Sequence, residues 1–375
     1  MARRQEQEPA REVITELAKD VLRMELPIRL PGLGHVNCYA ILDGDGAAIV
    51  DPGLPGPGTW RVLQQRLKQA GLEPRHIHSV IVTHSHPDHF GGARRLAKEF
   101  GAKVIGHHRF SFGPFISAGD PDCIDEMAVH HRHVHGAETH EEEDALPEAL
   151  EAAIAEADEI LRKSQDSGLT PWGRPHDRWM WWRRLRFRAL QFVGRGIVPS
   201  ISAPVEHGDV LRLAGREWFV VHTPGHTGDH ICLHDPESRL LLSGDHVLPT
   251  ITPHIGGTGS SPDPLASFFY SLDRVAEIQD VETVLPAHGH PFEDLAGRAQ
   301  AIKRHHEERL DTVRSISSEF GAPASVQAFS ERLFKPRSWG SMAESETYAH
   351  LEHLRIQGSA ERMEHPDGRL LYVTG

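Results

Sequence analysis

The sequence predicts an α/β protein, and two observations support that prediction. Short apolar runs alternate with stretches whose apolar residues recur every three or four positions, and the connections between them are short. Of the 375 residues, 39% are hydrophobic and 25% are charged, which is the usual balance of a globular chain long enough for one large or two smaller domains. That balance excludes a fibrous or wholly disordered chain.

The first elements alternate between strand and helix. The apolar segments VNCYAIL and AAIVDPG are joined by DGDG, whose residues favour a hairpin turn. The stretch TWRVLQQRLKQAG predicts a helix that ends at Gly71, and HSVIVT predicts a short buried strand. A second helix over ARRLAKEFG and a strand over KVIG follow. This alternation with short connections is typical of an α/β core.

The strand pattern stops over residues 107–203, which we interpret as an insertion. An acidic helical stretch is followed by residues 171–196, a Trp/Arg-rich segment that contains four tryptophans and seven arginines. Tryptophan and arginine suit a lid over an apolar, acidic substrate, and they are also enriched at subunit interfaces. An amphipathic helix at a membrane surface is the third interpretation. All three stay open at the level of sequence.

From Pro204 the strand pattern resumes. Strands are predicted over DVLRLA, EWFVVHTPG, HICLHD and RLLLSGDHVLP, and then a helix over PLASFFYSLDRVAEIQ precedes the strand VETVLPAHG. From about Ala299 the chain is predicted to form a small separate domain with three helical stretches and a final Gly-turned hairpin. The predicted domains are therefore 1–298, which includes the insertion, and 299–375.

Charge and cysteine content exclude several classes of function. Lys and Arg total 40 and Asp and Glu total 53, so the formal charge of −13 disfavours a protein that binds nucleic acid through its phosphates. Three scattered cysteines are too few for a disulfide framework, which favours a reduced cytoplasm. We expect no signal peptide and no membrane span, because the N-terminus has no apolar stretch and no run of about 18 apolar residues occurs.

The 28 histidines are the most unusual feature of the composition, and the segment THSHPDHFGG concentrates them. It places His84, His86, Asp88 and His89 within six residues, between a predicted buried strand and a predicted helix. In an extended segment His84 and His86 point to the same side, so both can reach one metal ion. A turn at Pro87 redirects the chain, so Asp88 and His89 can face a second metal.

Three more segments place a metal-binding residue beside glycine at the end of a predicted strand. They are TPGHTGDH with His226, LLLSGDH with Asp245 and VLPAHGH with His288. Imidazole and carboxylate together suit zinc, iron or manganese, and the absence of thiolate disfavours a structural zinc site. The metal-free alternative is that these are ordinary loop histidines.

The order of these motifs, with the VDPG segment before them, resembles the metallo-β-lactamase superfamily over roughly residues 25–105 and 204–295. The resemblance implies a four-layer αββα sandwich, in which two β-sheets are flanked by helices and two metals lie in the cleft between the sheets. It implies that the first metal is held by His84, His86 and His226, the second by Asp88, His89 and His288, and that Asp245 bridges both.

The resemblance also implies an activity. Two divalent cations, with zinc expected and iron or manganese as alternatives, would share a hydroxide that attacks a small thioester, ester or lactone. Asp88 and Asp51 are the candidate catalytic residues. Asp88 would orient the hydroxide, and Asp51 resembles the carboxylate that orients a metal ligand. The alternative for Asp51 is a turn residue at a strand end.

The C-terminal segment resembles the winged-helix tail of LACTB2-like proteins, a group of the superfamily that includes an endoribonuclease. A metal-dependent endoribonuclease is therefore the alternative function. However, residues 301–375 contain 10 Lys/Arg and 11 Asp/Glu, and the expected recognition helix, ESETYAHLEHLRIQG, has three glutamates and one arginine. Because a helix that enters a nucleic-acid groove should be basic, a packing or dimerisation module is favoured, and a homodimer is considered.

Overall fold

The computed structural model describes residues 4–30, 32–44, 46–112, 159–160, 163–164, 169–174, 197–257 and 261–375. Most of the insertion, including the Trp/Arg-rich segment after Arg174, lies outside the described residues. The choice between lid, interface and membrane helix stays a prediction.

Among the described residues, seven strands form the first sheet, and their order in space follows their order in the chain. The strands β3 and β4 pair antiparallel, so the predicted hairpin is confirmed, whereas β4, β5, β6 and β7 run parallel to one another. The strands are β1 (Thr15–Ala18), β2 (Val21–Leu30), β3 (Leu33–Asp43), β4 (Gly46–Val50), β5 (Ile77–Ile81), β6 (Lys103–His107) and β7 (Ala203–Val205).

Three helices accompany the parallel part of this sheet. The first begins at Pro57, whose fixed φ angle suits the first turn of a helix, and it buries Leu63 and Leu67 against the sheet. The predicted helix over ARRLAKEFG is confirmed and ends at Gly101, which has a left-handed conformation. The helices are α1 (Pro57–Gln69), α2 (Pro87–Phe90) and α3 (Ala93–Phe100).

The second sheet has five strands in the order β12, β11, β10, β9, β8. Two long helices, α4 (Pro264–Ala276) and α5 (Leu295–Phe320), share an apolar cluster with its outer face. The strands are β8 (Val210–Leu213), β9 (Arg216–His222), β10 (Ile231–Asp235), β11 (Leu240–Gly244) and β12 (Thr283–Pro286).

Three apolar clusters separate four layers. The central cluster lies between the two sheets and contains Ile41 and Val50 from the first sheet and Trp218 and Leu233 from the second. A second cluster fills the space between the first sheet and its helices, and a third fills the space between the second sheet and α4 and α5. The predicted four-layer αββα arrangement is therefore confirmed.

The last elements follow α5 without a break. They are β13 (Ala324–Ser325), α6 (Val326–Leu333), α7 (Ser341–Ile356), β14 (Ala360–Glu364) and β15 (Leu370–Thr374). The strands form a sheet in the order β13, β15, β14, and β14 and β15 form the predicted terminal hairpin. Residues of α4, α5 and α7 share one apolar cluster. The winged-helix interpretation and the division after residue 298 stay predictions.

Within the described ranges, no helix has the length and the apolar character needed to cross a bilayer.

Candidate metal centre

The predicted metal ligands follow the carboxyl ends of four strands. Residues 84–89 follow β5, His226 follows β9, Asp245 follows β11 and His288 follows β12. The strands β11 and β12 are parallel, and β9 runs in the same direction because both β9 and β11 pair antiparallel with β10. The carboxyl ends therefore meet at one edge of the sandwich, where α/β folds commonly bind ligands.

The segment between β5 and α2 has the conformation that its sequence predicts. His86 is extended, with φ −78° and ψ 145°, and Pro87 occupies the first turn of α2. Asp88 and His89 lie in that turn, so they leave the chain in a different direction from His84 and His86. One short segment therefore supplies side chains to both halves of the centre.

The seven predicted ligands come together in two groups. Within each group, one ligand atom of every residue lies within 4.8 Å of the others. The first group is His84, His86, His226 and Asp245, and the second group is Asp88, His89 and His288.

The nitrogen atoms of the first group converge closely. His84 Nε2 and His226 Nε2 lie 2.9 and 3.0 Å from His86 Nδ1. Asp245 Oδ2 lies 3.6 Å from His226 Nε2 and 3.9 Å from His84 Nε2. Ligands of one tetrahedral zinc ion are separated by about 3.3 Å. The spacing is therefore that of one cation site, and its more open side is formed by His86 and His226, which are only partly buried.

The second group is fully buried. Asp88 Oδ2 lies 3.7 Å from His89 Nε2 and 3.5 Å from His288 Nε2. Asp245 also reaches this group, since its Oδ1 lies 3.3 Å from His288 Nε2 and its Oδ2 lies 3.6 Å from His89 Nε2. Asp245 thus contacts residues of both groups, which is the position expected for a bridging carboxylate.

Hydrogen bonds to backbone carbonyls determine which ring nitrogen of His226 and of His288 faces the candidate metal centre. The Nδ1 atom of His226 donates to the carbonyl of His254, at 2.7 Å, and Nδ1 of His288 donates to the carbonyl of His35, also at 2.7 Å. Because Nδ1 carries the proton in each ring, the lone pair of Nε2 faces the centre.

The carboxylate of Asp51 fixes the orientation of His89, a member of the second group. It accepts hydrogen bonds from the backbone N–H of Thr83 at 2.9 Å, from the Thr83 hydroxyl at 2.8 Å and from Nδ1 of His89 at 2.8 Å. Asp51 has a positive φ of 54°, an unfavourable conformation for a non-glycine residue. This residue therefore does more than end a strand: it contacts His89 directly, and it reaches His84 through the Thr83 hydroxyl, which lies 3.0 Å from Nδ1 of His84.

Two glycines of the motifs are required by the local geometry. Gly244 precedes Asp245 and has a φ of 51°, and a Cβ atom there would lie 2.5 Å from Nε2 of His230. Gly225 precedes His226 and has a φ of 132°, and a Cβ atom there would lie 2.4 Å from Cβ of Phe268. Each ligand is thus placed by a turn that only glycine adopts without strain.

The electrostatics of the first group favour neutral imidazoles beside an ionised carboxylate. Burial and the neighbouring histidines lower the pKa of His84 and His86 well below the usual range, and burial lowers the pKa of His226. Burial raises the pKa of Asp245, but His288 and His89 outweigh that effect and lower it well below its usual value. Neutral imidazole and carboxylate are the forms that bind a metal.

The second group attracts positive charge. Burial lowers the pKa of His89, but the carboxylates of Asp51, Asp245 and Asp88 raise it well above the usual value. The pKa of His288 is likewise lowered by burial and raised more strongly by Asp245 and Asp88. The carboxylates therefore hold positive charge in this half of the centre, either as protons or as a cation.

Unpartnered polar atoms support the fit of a cation. In the part of the chain that the structure describes, Nε2 of His89, Nε2 of His288 and Oδ1 of Asp245 are buried and have no hydrogen-bond partner. Leaving such atoms unsatisfied is costly, and buried polar groups are normally paired. These atoms all belong to the two groups, so divalent cations fit the residues present.

Two residues that support the centre, His230 and Asp229, are not among the predicted site residues. His230 accepts a hydrogen bond from the backbone N–H of Asp245 at 3.0 Å, and its Nδ1 donates to the Thr223 hydroxyl at 2.7 Å. The buried Asp229 accepts a hydrogen bond from Ser85, and burial raises its pKa to about 6. Both residues belong to the TPGHTGDH segment, so its final Asp-His pair could have been identified as a supporting pair.

Replacing Asp51 by asparagine is expected to weaken binding of the second cation by about 10–100-fold. Both oxygens of Asp51 accept from donors, so the amide nitrogen would face either Thr83 or the Nδ1 proton of His89. If the amide nitrogen faces His89, the proton of that ring would move from Nδ1 to Nε2, and Nε2 could no longer bind a metal. Titration of the protein with Zn²⁺ against a chromophoric chelator measures this loss.

The matched control is Asp235→Asn. Asp235 is also a buried carboxylate that accepts backbone hydrogen bonds, but it lies at the far end of β10 and pairs with Arg216. This control is expected to lower stability by about 1–3 kcal/mol and to leave cation affinity unchanged. Equal cation affinity in both variants would show that Asp51 does not orient His89.

Known proteins share this fold and parts of this sequence. The family model described as the metallo-beta-lactamase superfamily matches residues 31–122 and 127–291. A crystal structure of a metallo-beta-lactamase family protein from Thermus thermophilus is 26% identical, with a TM-score of 0.69, and the match covers 96% of this chain and 100% of that chain.

Two curated relatives are similar to different extents of the chain. An acyl-coenzyme A thioesterase of Gallus gallus is 34% identical over 176 residues, which are 44% of this chain and 55% of the relative, so the chain matches only about half of that protein. A probable metallo-hydrolase of Bacillus subtilis (strain 168) is 23% identical over 352 residues, which are 90% of this chain and 93% of the relative.

Proposed function

Because the chain belongs to the metallo-beta-lactamase superfamily, we propose that it is a hydrolase that uses two divalent cations to cleave a small thioester, ester or lactone. A thioester is the first candidate, and zinc is the first candidate metal. The observation that carries the proposal is the convergence of seven imidazole and carboxylate side chains, in two groups, with buried atoms that lack a hydrogen-bond partner.

The seven predicted ligands would be divided between two cations. His84, His86 and His226 would hold one cation, Asp88, His89 and His288 would hold the other, and Asp245 would contact both. When bound, a pair of divalent cations lowers the pKa of water to about 7 and polarises a carbonyl oxygen, so that a nucleophile exists at neutral pH.

The chain's own groups would orient the reaction. Asp88 faces His89 and His288 through Oδ2, and its second carboxylate oxygen would accept a hydrogen bond from the attacking water. Asp51 would keep the His89 proton on Nδ1 and so keep Nε2 free for the cation. The partly buried His86 and His226 form the side from which a substrate would approach.

A thioester is the first candidate substrate because of the name of one curated relative. The curated relative that is 34% identical is named an acyl-coenzyme A thioesterase, although the match covers about half of its length. A thioester carbonyl is attacked by the same nucleophile as an ester or a lactone carbonyl, so the geometry of the site admits all three substrates.

The endoribonuclease alternative has less support from the structure. The expected recognition helix is α7, and nearly every residue from Ala343 to Leu354 is buried. A helix must expose one face to enter a groove of a nucleic acid. The burial of α7 therefore favours a role in packing.

The experiment that tests the proposal measures thiol release from acyl-coenzyme A by the metal-loaded protein, by the same protein after chelation, and by the chelated protein after Zn²⁺ is restored. We expect hydrolysis that chelation removes and Zn²⁺ restores. Single-stranded RNA is incubated in parallel with each sample. Metal-dependent RNA cleavage without hydrolysis of any thioester, ester or lactone would contradict the proposed substrate class.

A further inference from the structure

We propose that α7 of the C-terminal region positions the metal ligand His226, through an ion-paired Glu346 that holds His254. This inference rests on the proposed function, because it assumes that His226 binds a cation. It adds that a residue outside the strand-end motifs, Glu346, which lies 120 positions after His226 in the chain, helps to complete the site.

The first step is the contact between His226 and His254. Nδ1 of His226 donates to the backbone carbonyl of His254 at 2.7 Å. This hydrogen bond sets the tautomer and the orientation of the His226 ring, as carbonyl partners of metal-binding histidines generally do. A displaced carbonyl would therefore turn Nε2 of His226 away from the first group.

The second step concerns residues 248–257, which we call the 248–257 loop. It contains neither helix nor strand, so its carbonyl positions depend on side chains that anchor it. Glu6 accepts hydrogen bonds from backbone N–H groups in the first half of the loop, and Arg298 donates to carbonyl oxygens there. The second half, which carries His254, needs a different anchor.

Glu346 is that anchor. Its Oε2 lies 3.3 Å from Nδ1 of His254, and its Oε1 pairs with the guanidinium of Arg309 on α5. The Glu346 side chain is 12% exposed and that of Arg309 is 16% exposed, so solvent competes little for either group. Burial raises the pKa of Glu346, but the His254 hydrogen bond and Arg309 lower it to about 2. The carboxylate is therefore ionised.

The end of the loop also rests directly on α7. The backbone N–H of Gly257 donates to the carbonyl of Ser345 at 3.1 Å. A Cβ atom on Gly257 would lie 2.5 Å from Cδ1 of Tyr348 and 2.9 Å from the backbone nitrogen of Ala349, so the loop packs closely against this helix. The loop and α7 thus form a continuous contact, and Glu346 lies at its centre.

The test compares Glu346→Gln with Glu344→Gln. Glu344 lies two positions earlier on α7, is more deeply buried and also carries an ion pair, but its partners are Arg174 and the indole N–H of Trp172. We expect Glu346→Gln to weaken Zn²⁺ affinity about 10-fold, measured by competition with a chromophoric chelator. Glu344→Gln is expected to change that affinity less than about 2-fold.

A second variant separates positioning from a general loss of stability. His254→Ala keeps the backbone carbonyl but removes the imidazole, whose side chain is 27% exposed and can be deleted with little cost to the core. We expect the same loss of affinity as in Glu346→Gln and no further loss in the double variant, because the two side chains act as one unit. If Glu346→Gln does not fold, His254→Ala alone decides the question.

Two results would overturn the inference. One is a Glu346→Gln protein that is folded and binds Zn²⁺ as tightly as Glu344→Gln. The other is a His254→Ala protein with unchanged affinity. Failure of the proposed function looks different: a wild-type protein that binds Zn²⁺ tightly but hydrolyses no thioester, ester or lactone contradicts the function alone. A wild-type protein that binds no divalent cation would overturn both.

Discussion

Replacing Asp245 by alanine is expected to remove cations from both groups and to lower hydrolysis at least about 10³-fold, or about 4 kcal/mol in the barrier. Asp245 lies 3.3–3.9 Å from histidines of both groups, namely His84, His89, His226 and His288. Loss of this carboxylate also removes negative charge that attracts a cation to both groups, and the remaining neutral imidazoles cannot replace that charge.

Two measurements check this expectation together. Metal content is determined by mass spectrometry after gel filtration, and thioester hydrolysis is followed by thiol release. The matched control is Asp235→Ala, which deletes another buried carboxylate from the same sheet but is remote from the two groups. An Asp245→Ala protein with normal metal content and normal activity would contradict the bridging position.

Replacing Asp88 by alanine is expected to separate metal binding from catalysis. Asp88 contacts only the second group, so the first group, with its three convergent ring nitrogens, should keep its cation. The chain would hold about one cation, and hydrolysis would fall at least about 10²-fold because the orienting carboxylate is lost. Metal content and initial rates are measured on the same preparation.

The Asp88→Ala variant also tests the endoribonuclease alternative. Metal-dependent RNA cleavage that survives Asp88→Ala would contradict both the assignment of the site and its chemistry. Cleavage that is strong in the wild type and lost in the variant would keep the site and reverse the order of the two proposed functions. Retention of both cations with full thioester hydrolysis would show that Asp88 is not a ligand.

The positions of the ligands in the strand-end motifs could be predicted from the sequence because they depend on the backbone geometry of neighbouring residues. His84 and His86 are two residues apart in an extended segment, and Pro87 begins a helix, so their relative directions follow from backbone geometry alone. The strands beside Asp245 and His288 are short, contain consecutive apolar residues and are buried along most of their length, which is typical of parallel strands. Pattern and periodicity therefore predicted where these side chains lie.

The partners that orient the ligands could not be read in the same way. His226 and His288 donate to backbone carbonyls of residues 254 and 35. Because every residue has a backbone carbonyl, the residue type does not indicate which carbonyl accepts such a hydrogen bond. The contact between His288 and residue 35 joins positions 253 apart in the chain. Such pairs arise from the packing of the two sheets, which a single sequence does not specify.

The C-terminal helix shows a further limit. The acidic sequence of α7 argues against a basic recognition surface, but it did not reveal that Glu344 is buried and Glu346 slightly exposed, each in an ion pair. On sequence alone, three glutamates on one helix predict a solvated face. Their partners, Arg174 and Arg309, come from the insertion and from α5, so only the tertiary structure explains the burial.

The most direct test of the account is the number of divalent cations bound per folded chain, measured by mass spectrometry on protein equilibrated with Zn²⁺ and freed of excess metal. The two groups predict about two cations per chain in the wild type and about one in the His226→Ala protein. A wild-type chain that retains fewer than one cation, while remaining folded, would contradict the central claim that these seven side chains form a paired metal centre.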